Sequence, residues 1–306
     1  MSHIPLISIC IPSFRRPVEI QETIQSIVSQ FDDSINEDTI EIIISDDAWS
    51  DVEEVIRPLI KKYSCIHYFR NEKNLRFANW LQANSLWKWK YLLSLSNDDS
   101  LTNFSLKYLK EIIEATDFDF LLHKPFFTAD VHIPVEKKEN TYQLCYWVKD
   151  YITTLYKREK SYNGLVSYFS FNSVMVVKAS YRHEWYQKID REKVFTNEFP
   201  QEFPPYFDLR DKKIVLTDAT FLKWRLLNAC YSGSLKLIHS FQEMMDFIEK
   251  QNDLSELDER KKIKKICIWW RNRTMYIWII LAFLKLDYKK TGWIRSLYNT
   301  FKKHIQ

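Results

Sequence analysis

The chain has 306 residues, 46% of them hydrophobic and 27% charged, with a formal net charge of +4. That is ample apolar material for one large core or two smaller ones, and it excludes collagen-like, coiled-coil and low-complexity classes. Only three glycines occur, Gly164, Gly233 and Gly292. A glycine-rich dinucleotide loop or a P-loop after the first strand is therefore excluded, because both need bare backbone against phosphates. The five cysteines are odd in number, far apart and without Cys-x-x-Cys spacing, as in a reduced, cytosolic protein. The seven histidines show no metal-ligand spacing.

Ile7 to Ile11 is an apolar run that predicts a first strand, ending in Pro12-Ser13-Phe14-Arg15-Arg16-Pro17. Residues 18–30 carry a helical pattern with Ile20, Ile24, Ile27 and Val28 on one face, and Pro17 suits its first turn. Ile40 to Ile44 predicts a second strand, ending in Ser45-Asp46-Asp47-Ala48-Trp49-Ser50-Asp51. The helix after it places Val52, Val55, Ile56, Leu59 and Ile60 together. A third strand, Cys65 to Phe69, leads through Asn74-Leu75-Arg76-Phe77-Ala78-Asn79-Trp80 into a helix reaching Trp87. A fourth, Tyr91 to Leu95, delivers Ser96-Asn97-Asp98-Asp99. Strands alternating with helices imply parallel βαβ units. The two acidic pairs then fall at the carboxyl ends of strands, where open α/β sheets bind ligands. Further on, Tyr168 to Val177 reads as a strand after a Tyr162-Asn163-Gly164 turn, and Trp185 and Tyr186 fall on a helix.

Two adjacent carboxylates past a buried strand repel each other, and one takes up a proton unless a cation relieves the pair. A hard divalent ion shared with a phosphate does so, since Mg²⁺ and Mn²⁺ prefer carboxylate and phosphate oxygens. Asp99 with Asp98 is thus a candidate metal–nucleotide site, against the plainer reading of an Asn-Asp-Asp-Ser turn. Asp46 and Asp47 offer acceptors to a nucleoside, against the plainer reading of a helix-start signal.

Ser8-Ile9-Cys10-Ile11-Pro12-Ser13-Phe14-Arg15-Arg16-Pro17 resembles the opening of the family 2 glycosyltransferases. The Ser45-to-Asp51 loop is similar to their second motif, with Ala48 in place of the usual glycine. Ser96-Asn97-Asp98-Asp99 stands where the family carries its acidic metal motif, with Ser96 replacing the first acid of Asp-x-Asp-Asp. These motifs span residues 5–125 and fade beyond. The resemblance implies a GT-A fold, an α/β architecture with a Rossmann-like mixed sheet flanked by helices. It further implies an inverting transfer from a nucleotide-sugar donor to a glycan or lipid-linked glycan acceptor, in bacterial surface-polysaccharide synthesis.

On that resemblance Pro12 and Phe14 shape the base pocket, and Asp46 and Asp47 take the base or ribose. Arg76 pairs with the base or diphosphate, or is a solvated cation at a helix start. Asn79 lines the same cleft or faces solvent. Asp98 contacts the nucleotide and, with Asp99, holds Mg²⁺ or Mn²⁺. The family's base is an acid downstream, but its usual Glu-Asp pair is absent. The candidates are Glu198 and Glu202, within Thr196 to Pro205, with Asp190 and Asp208 behind them. Aromatic neighbours such as Phe195, Phe199 and Phe203 would raise a carboxylate's pKa by desolvation, which suits a base. The expected division is a nucleotide-sugar-binding half over 1–125, an acceptor half over 126–230 and a helical basic extension over 231–306. A nucleotidyltransferase shares the sheet and metal logic but wants glycine in the first loop. A non-catalytic binding protein of GT-A descent fits the loss of an acid at Ser96.

The net charge hides an asymmetry. Residues 261–306 hold twelve Lys or Arg and the single acid Asp287, a local +11 that leaves about −7 on the rest. Trp269, Trp270, Trp278 and Trp293 lie among these cations. The most apolar stretch, Met275 to Leu284, is ten residues, where a span needs about twenty. Such a segment suits the surface of an anionic membrane, against a helix packed on the catalytic domain. Nucleic acid is disfavoured by the acidic remainder. With a strand starting within a few residues of the N-terminus, no signal peptide is expected, and the expected location is cytoplasmic, peripheral on the inner membrane face.

Overall fold

The computed structural model describes residues 6–47, 50–75, 78–87, 89–128, 132, 142–146, 150, 154, 175–181 and 212–225. The first half alternates as its apolar runs predict: β1 (Ile7–Ser13), α1 (Pro17–Val28), β2 (Ile40–Asp46), α2 (Ser50–Lys62), β3 (Ile66–Arg70), α3 (Ala78–Ser85) and β4 (Tyr91–Ser94). Then come β5 (Ser100–Leu101), α4 (Ser105–Thr116), β6 (Phe120–Leu122), β7 (Pro125–Thr128), β8 (Tyr142–Cys145), β9 (Met175–Lys178), β10 (Ile214–Thr217) and β11 (Leu222–Arg225).

Eight strands form one sheet in the order β3-β2-β1-β4-β9-β6-β10-β8. β3, β2, β1 and β4 are mutually parallel, as the βαβ pattern requires. β9 runs antiparallel between β4 and β6, and β8 antiparallel on β10, so the sheet is mixed. Of the strand expected over 168–177, the described part is β9. A second, three-stranded sheet has the order β5-β11-β7.

Burial explains the apolar runs. All seven residues of β2 are buried, because helices cover both faces of the parallel region. On one face Ile20, Ile24, Ile27 and Val28 of α1 join Val52 and Ile56 of α2 and Leu106, Leu109, Ile112 and Ile113 of α4. On the other, Cys10, Ile43 and Leu92 meet Ala83 of α3. Each fully buried Ile or Leu contributes about 1.5–3 kcal/mol of transfer free energy. Glu41, near the start of β2, is buried yet matched: Ser8 Oγ donates to its Oε2 at 2.7 Å, and His67 Nε2 lies 3.6 Å from its Oε1. Cys10, Cys65 and Cys145 are buried free thiols, and burial pushes the Cys65 thiol up to about 12.

Strand ends differ from the apolar runs by a residue or two, with a consequence for the site. β1 and β2 stay paired beyond Ile11 and Ile44, through Pro12↔Ser45 and Ser13↔Asp46, since backbone pairing does not require apolar side chains. β3 joins the same row through Asp46↔Arg70. α3 stops at Ser85 rather than Trp87. No helix among the described residues is long and apolar enough to cross a membrane.

Candidate active site

Ser13, Asp46 and Arg70 end three parallel strands in one row, and the backbone ladder continues past them. Asp47 N–H donates to the Ser13 carbonyl at 3.0 Å, and Asn71 N–H to the Asp46 carbonyl at 2.7 Å. β4 ends lower, with Ser94 opposite Cys10. The segment after it therefore climbs beside the last turn of β1: Leu95 N–H donates to the Cys10 carbonyl at 2.9 Å, and Asn97 Nδ2 reaches Ser13 Oγ at 3.3 Å. Both acidic pairs thus arrive at one edge of the sheet.

Neutral donors hold the Asp46–Asp47 pair. Asp46 is fully buried, and its Oδ2 accepts the Tyr68 hydroxyl at 2.8 Å. Burial, and then that hydrogen bond, push the Tyr68 pKa upward, so the phenol stays a donor. Asp47 Oδ1 accepts Asn71 Nδ2 at 3.0 Å and the Leu75 N–H at 3.1 Å, which clasps the loop leading to Arg76. Beneath them sits Asn79. Its Nδ2 donates to the carbonyls of Ser13 at 3.1 Å and Ser45 at 2.9 Å. Its Oδ1 accepts Ser45 Oγ at 2.7 Å and Asn71 Nδ2 at 2.9 Å. Two donors and two lone pairs exhaust a carboxamide. Asn79 is therefore a brace tying the loops after β1, β2 and β3, and at 3% exposure it does not face solvent.

A cation holds the first member of the Asp98–Asp99 pair. Asp98 Oδ1 accepts Ser96 Oγ at 2.5 Å, and its Oδ2 pairs with Arg16 Nη1. Where the family carries a third acid, this chain supplies a hydroxyl donor, which lessens the repulsion. Arg225, at the end of β11, spans the other side. Its Nε donates to the Asp98 carbonyl at 3.2 Å, its N–H lies 3.4 Å from Asp99 Oδ1, and its Nη2 pairs with Glu22 of α1. Thr23 Oγ1 donates to the Asp99 carbonyl at 2.6 Å. Both acids are buried, Asp98 to 6% and Asp99 to 2% exposure. Unpaired, such carboxylates carry a heavy desolvation cost, which the Arg16 guanidinium offsets at Asp98.

The loop between β1 and α1 overhangs this edge. Arg15 has φ 53, a left-handed backbone uncommon outside glycine and costing about 1–2 kcal/mol. It turns the chain so that Phe14 is 37% exposed, with the Arg15 guanidinium 5.1 Å from its ring centroid. Pro12 is half-buried in β1. Sequence reasoning missed Arg16 and Arg225. The double arginine before Pro17 was a usable local signal for the first. Nothing local marks the second, 126 residues from Asp99. Arg76, Glu198, Glu202, Asp190, Asp208, Trp185, Tyr186 and the whole of 231–306 lie outside the described residues.

A mixed α/β sheet whose parallel strands end in paired carboxylates, closed by a small second sheet, is the GT-A architecture. The family model "Glycosyl transferase family 2" matches residues 8–188, more than half of the chain. The chain belongs to that family, and the match runs well past residue 125, where the motifs fade. Among solved structures it is similar to S. aureus TarS 1-349 in complex with UDP, at 16% identity and TM-score 0.57, over 88% of this chain and 71% of that one. The same TarS segment in complex with UDP-GlcNAc aligns at 16% identity and TM-score 0.53, over 88% and 72%. Against the longer TarS chain the identity is 16% and the TM-score 0.53, over 88% of this chain and 43% of that one. At such identity the likeness establishes the fold alone. No curated protein matches the chain.

Proposed function

We propose that the protein is an inverting glycosyltransferase moving a sugar from a nucleoside-diphosphate donor to a glycan or lipid-linked glycan acceptor. The observation that carries this is the buried Asp98–Asp99 pair, braced by arginines beside the strand ends that carry Asp46 and Asp47. As the glycosidic bond breaks, charge builds on the diphosphate, and a divalent cation held by Asp99 and Asp98 would stabilise it. Among the described residues no group of three or more His, Cys, Asp or Glu gathers for a metal. A Mg²⁺- or Mn²⁺-sized ion does not need one: one or two carboxylates, completed by substrate phosphate and water, are its usual set. The donor set fits, with Asp99 and Asp98 as the holders.

The other roles follow the family. Asp47 accepts hydrogen bonds from the nucleoside, Pro12 and Phe14 shape the base pocket, and Arg76 faces the base or diphosphate. Glu198 takes the acceptor hydroxyl proton as that oxygen attacks the anomeric carbon, with Glu202 next in line. The halves 1–125 and 126–230 serve donor and acceptor. A cavity of about 490 Å³ supports a route for the acceptor at their junction: Glu22, Gln25 and Ser100 line it from the first half, His132 and Lys223 from the second. Residues 261–306 dock the enzyme on an anionic membrane face, and flotation with acidic-lipid vesicles at low salt tests that.

The deciding experiment is donor hydrolysis and transfer with a panel of nucleotide sugars, with Mn²⁺ and with EDTA. Metal-dependent turnover of one donor supports the proposal, and Glu198→Gln should then lose about 10²–10⁴-fold in transfer while still binding donor. One observation favours a second reading, a binding protein without transfer: Asp98 has both oxygens committed, to Ser96 and Arg16. Nucleotide binding without turnover of any donor would select it.

A further inference from the structure

Building on the donor-site reading, we propose that Arg16 is an exchangeable counter-ion. It neutralises Asp98 before the donor binds, and passes to the donor's diphosphate as a divalent metal takes its place at the carboxylate. Metal and nucleotide then enter together, and each binds poorly without the other.

Asp98 offers two oxygens, and both are taken. Ser96 Oγ donates to Oδ1 and Arg16 Nη1 pairs with Oδ2. A divalent ion approaching Asp98 must displace the guanidinium or sit against it, and like charges at that distance repel strongly. The two arginines of the site are held differently. Arg225 is fixed in β11, with its Nε on the Asp98 carbonyl and its Nη2 on Glu22, so moving it breaks bonds to two elements. Arg16 lies in the loop before α1, and its side chain is 28% exposed. Its backbone carbonyl accepts the Ile20 N–H at 3.0 Å, which fixes the main chain at the helix start and leaves the side chain to Asp98. Arg225 is the brace that stays, and Arg16 is the group that can leave.

The place Arg16 would go also suits it. A guanidinium presents five donors in a planar fork that meets phosphate oxygens bidentately, whereas it meets Asp98 through one oxygen here. Its backbone stands at the N-terminus of the twelve-residue α1, whose dipole favours the same anion. The exchange trades a carboxylate partner for a phosphate partner, and the metal compensates the charge that Asp98 loses.

Calorimetry on the intact protein tests this with Mn²⁺ alone, UDP and GDP alone, and each nucleotide at saturating Mn²⁺. The wild type should bind Mn²⁺ weakly by itself, and the preferred nucleotide should tighten Mn²⁺ by at least about tenfold, with the reciprocal effect on the nucleotide. Arg16→Gln should bind Mn²⁺ alone about tenfold tighter and the nucleotide with Mn²⁺ about tenfold weaker, the size of one lost charged hydrogen bond. Arg16→Lys should fall between, keeping the charge without the fork. A second variant moves the other way: Asp98→Asn releases Arg16 and should tighten metal-free nucleotide binding severalfold, a gain that a structural role for the pair does not predict. Should wild type bind a nucleotide while Arg16→Gln and Asp98→Asn leave every affinity unchanged, Arg16 is a static surface pair and the inference fails alone. Should wild type bind neither nucleotide, with or without Mn²⁺, the donor-site reading fails and takes the inference with it.

Discussion

The two acidic pairs sit at the same edge of the same sheet and are held by opposite means. Asp46 and Asp47 are gripped by neutral donors: a phenol, a carboxamide and a backbone N–H. Asp98 is gripped by the Arg16 guanidinium, while Asp99 Oδ1 faces the Arg225 backbone N–H and the Arg225 guanidinium ties the Asp98 carbonyl to Glu22. Neutral donors fix the direction of the carboxylate oxygens, which suits orienting a nucleoside by hydrogen bonds. A cationic grip cancels the charge until another cation replaces it, which suits metal and phosphate. The difference lies in the partners, since the carboxylates themselves are alike.

Four substitutions break or sharpen this contrast. Asp99→Ala should have the largest effect. Losing a carboxylate at the cation-gripped end removes leaving-group stabilisation worth several kcal/mol, on the order of 10³-fold in kcat or more, with the circular dichroism spectrum retained. Undiminished turnover in EDTA would end the metal role of this pair.

Asn79→Ala should act on stability. It leaves two buried carbonyls, a hydroxyl and the Asn71 amide short of a partner, and about 3 kcal/mol should be lost in urea unfolding. Arg16→Gln should cost less than that, because the Gln side chain can still donate one hydrogen bond to Asp98 and the arginine side of the pair is open to solvent. Equal losses in the two variants would erase the distinction between a structural frame and an exchangeable one.

Asp47→Ala should weaken nucleotide binding by about tenfold while changing kcat at saturation less, as expected for uniform binding remote from the reacting bond. Unchanged affinity in calorimetry would reduce Asp47 to a clasp on residues 71–75.

The smallest effect lies away from the site and serves as a control for surface ion pairs. Asp117 caps α4 in a left-handed conformation (φ 40), with Lys178 Nζ at 2.9 Å and Lys90 Nζ at 3.3 Å. The hydrogen bond from Lys178, with help from Lys90, lowers its pKa to about 2. A depressed carboxylate contributes stability above its unfolded pKa of 3.8 and loses it as pH falls toward 2. The side chain is 55% exposed, so solvent screening limits the contribution to about 1 kcal/mol or less. The melting-temperature difference between wild type and Asp117→Asn should be small at pH 6 and vanish near pH 2. A difference that persists at pH 2 would point to the helix cap instead of the ion pairs.

The sequence by itself determined the parallel half of the fold. Ile7 to Ile11, Ile40 to Ile44 and Tyr91 to Leu95 are runs that only strands covered on both faces can bury, and the amphipathic stretches between them leave one topology for βαβ units. It also determined that two acidic pairs end strands, because the apolar runs break off abruptly at Ser45 and Ser96. What the acids touch was decided by tertiary structure alone. β5, β6, β7, β8, β10 and β11 are two to four residues long, too short for a period to be read, and β11 becomes a strand only by lying between β5 and β7. That placement brings Arg225 to the backbone of Asp98 across more than a hundred residues, and the loop between β1 and α1 brings Arg16 to the Asp98 carboxylate from the other side. A local pattern reports which face of an element is apolar. Which donors meet a buried loop is settled by whichever strands and loops packing brings within about 3 Å of it.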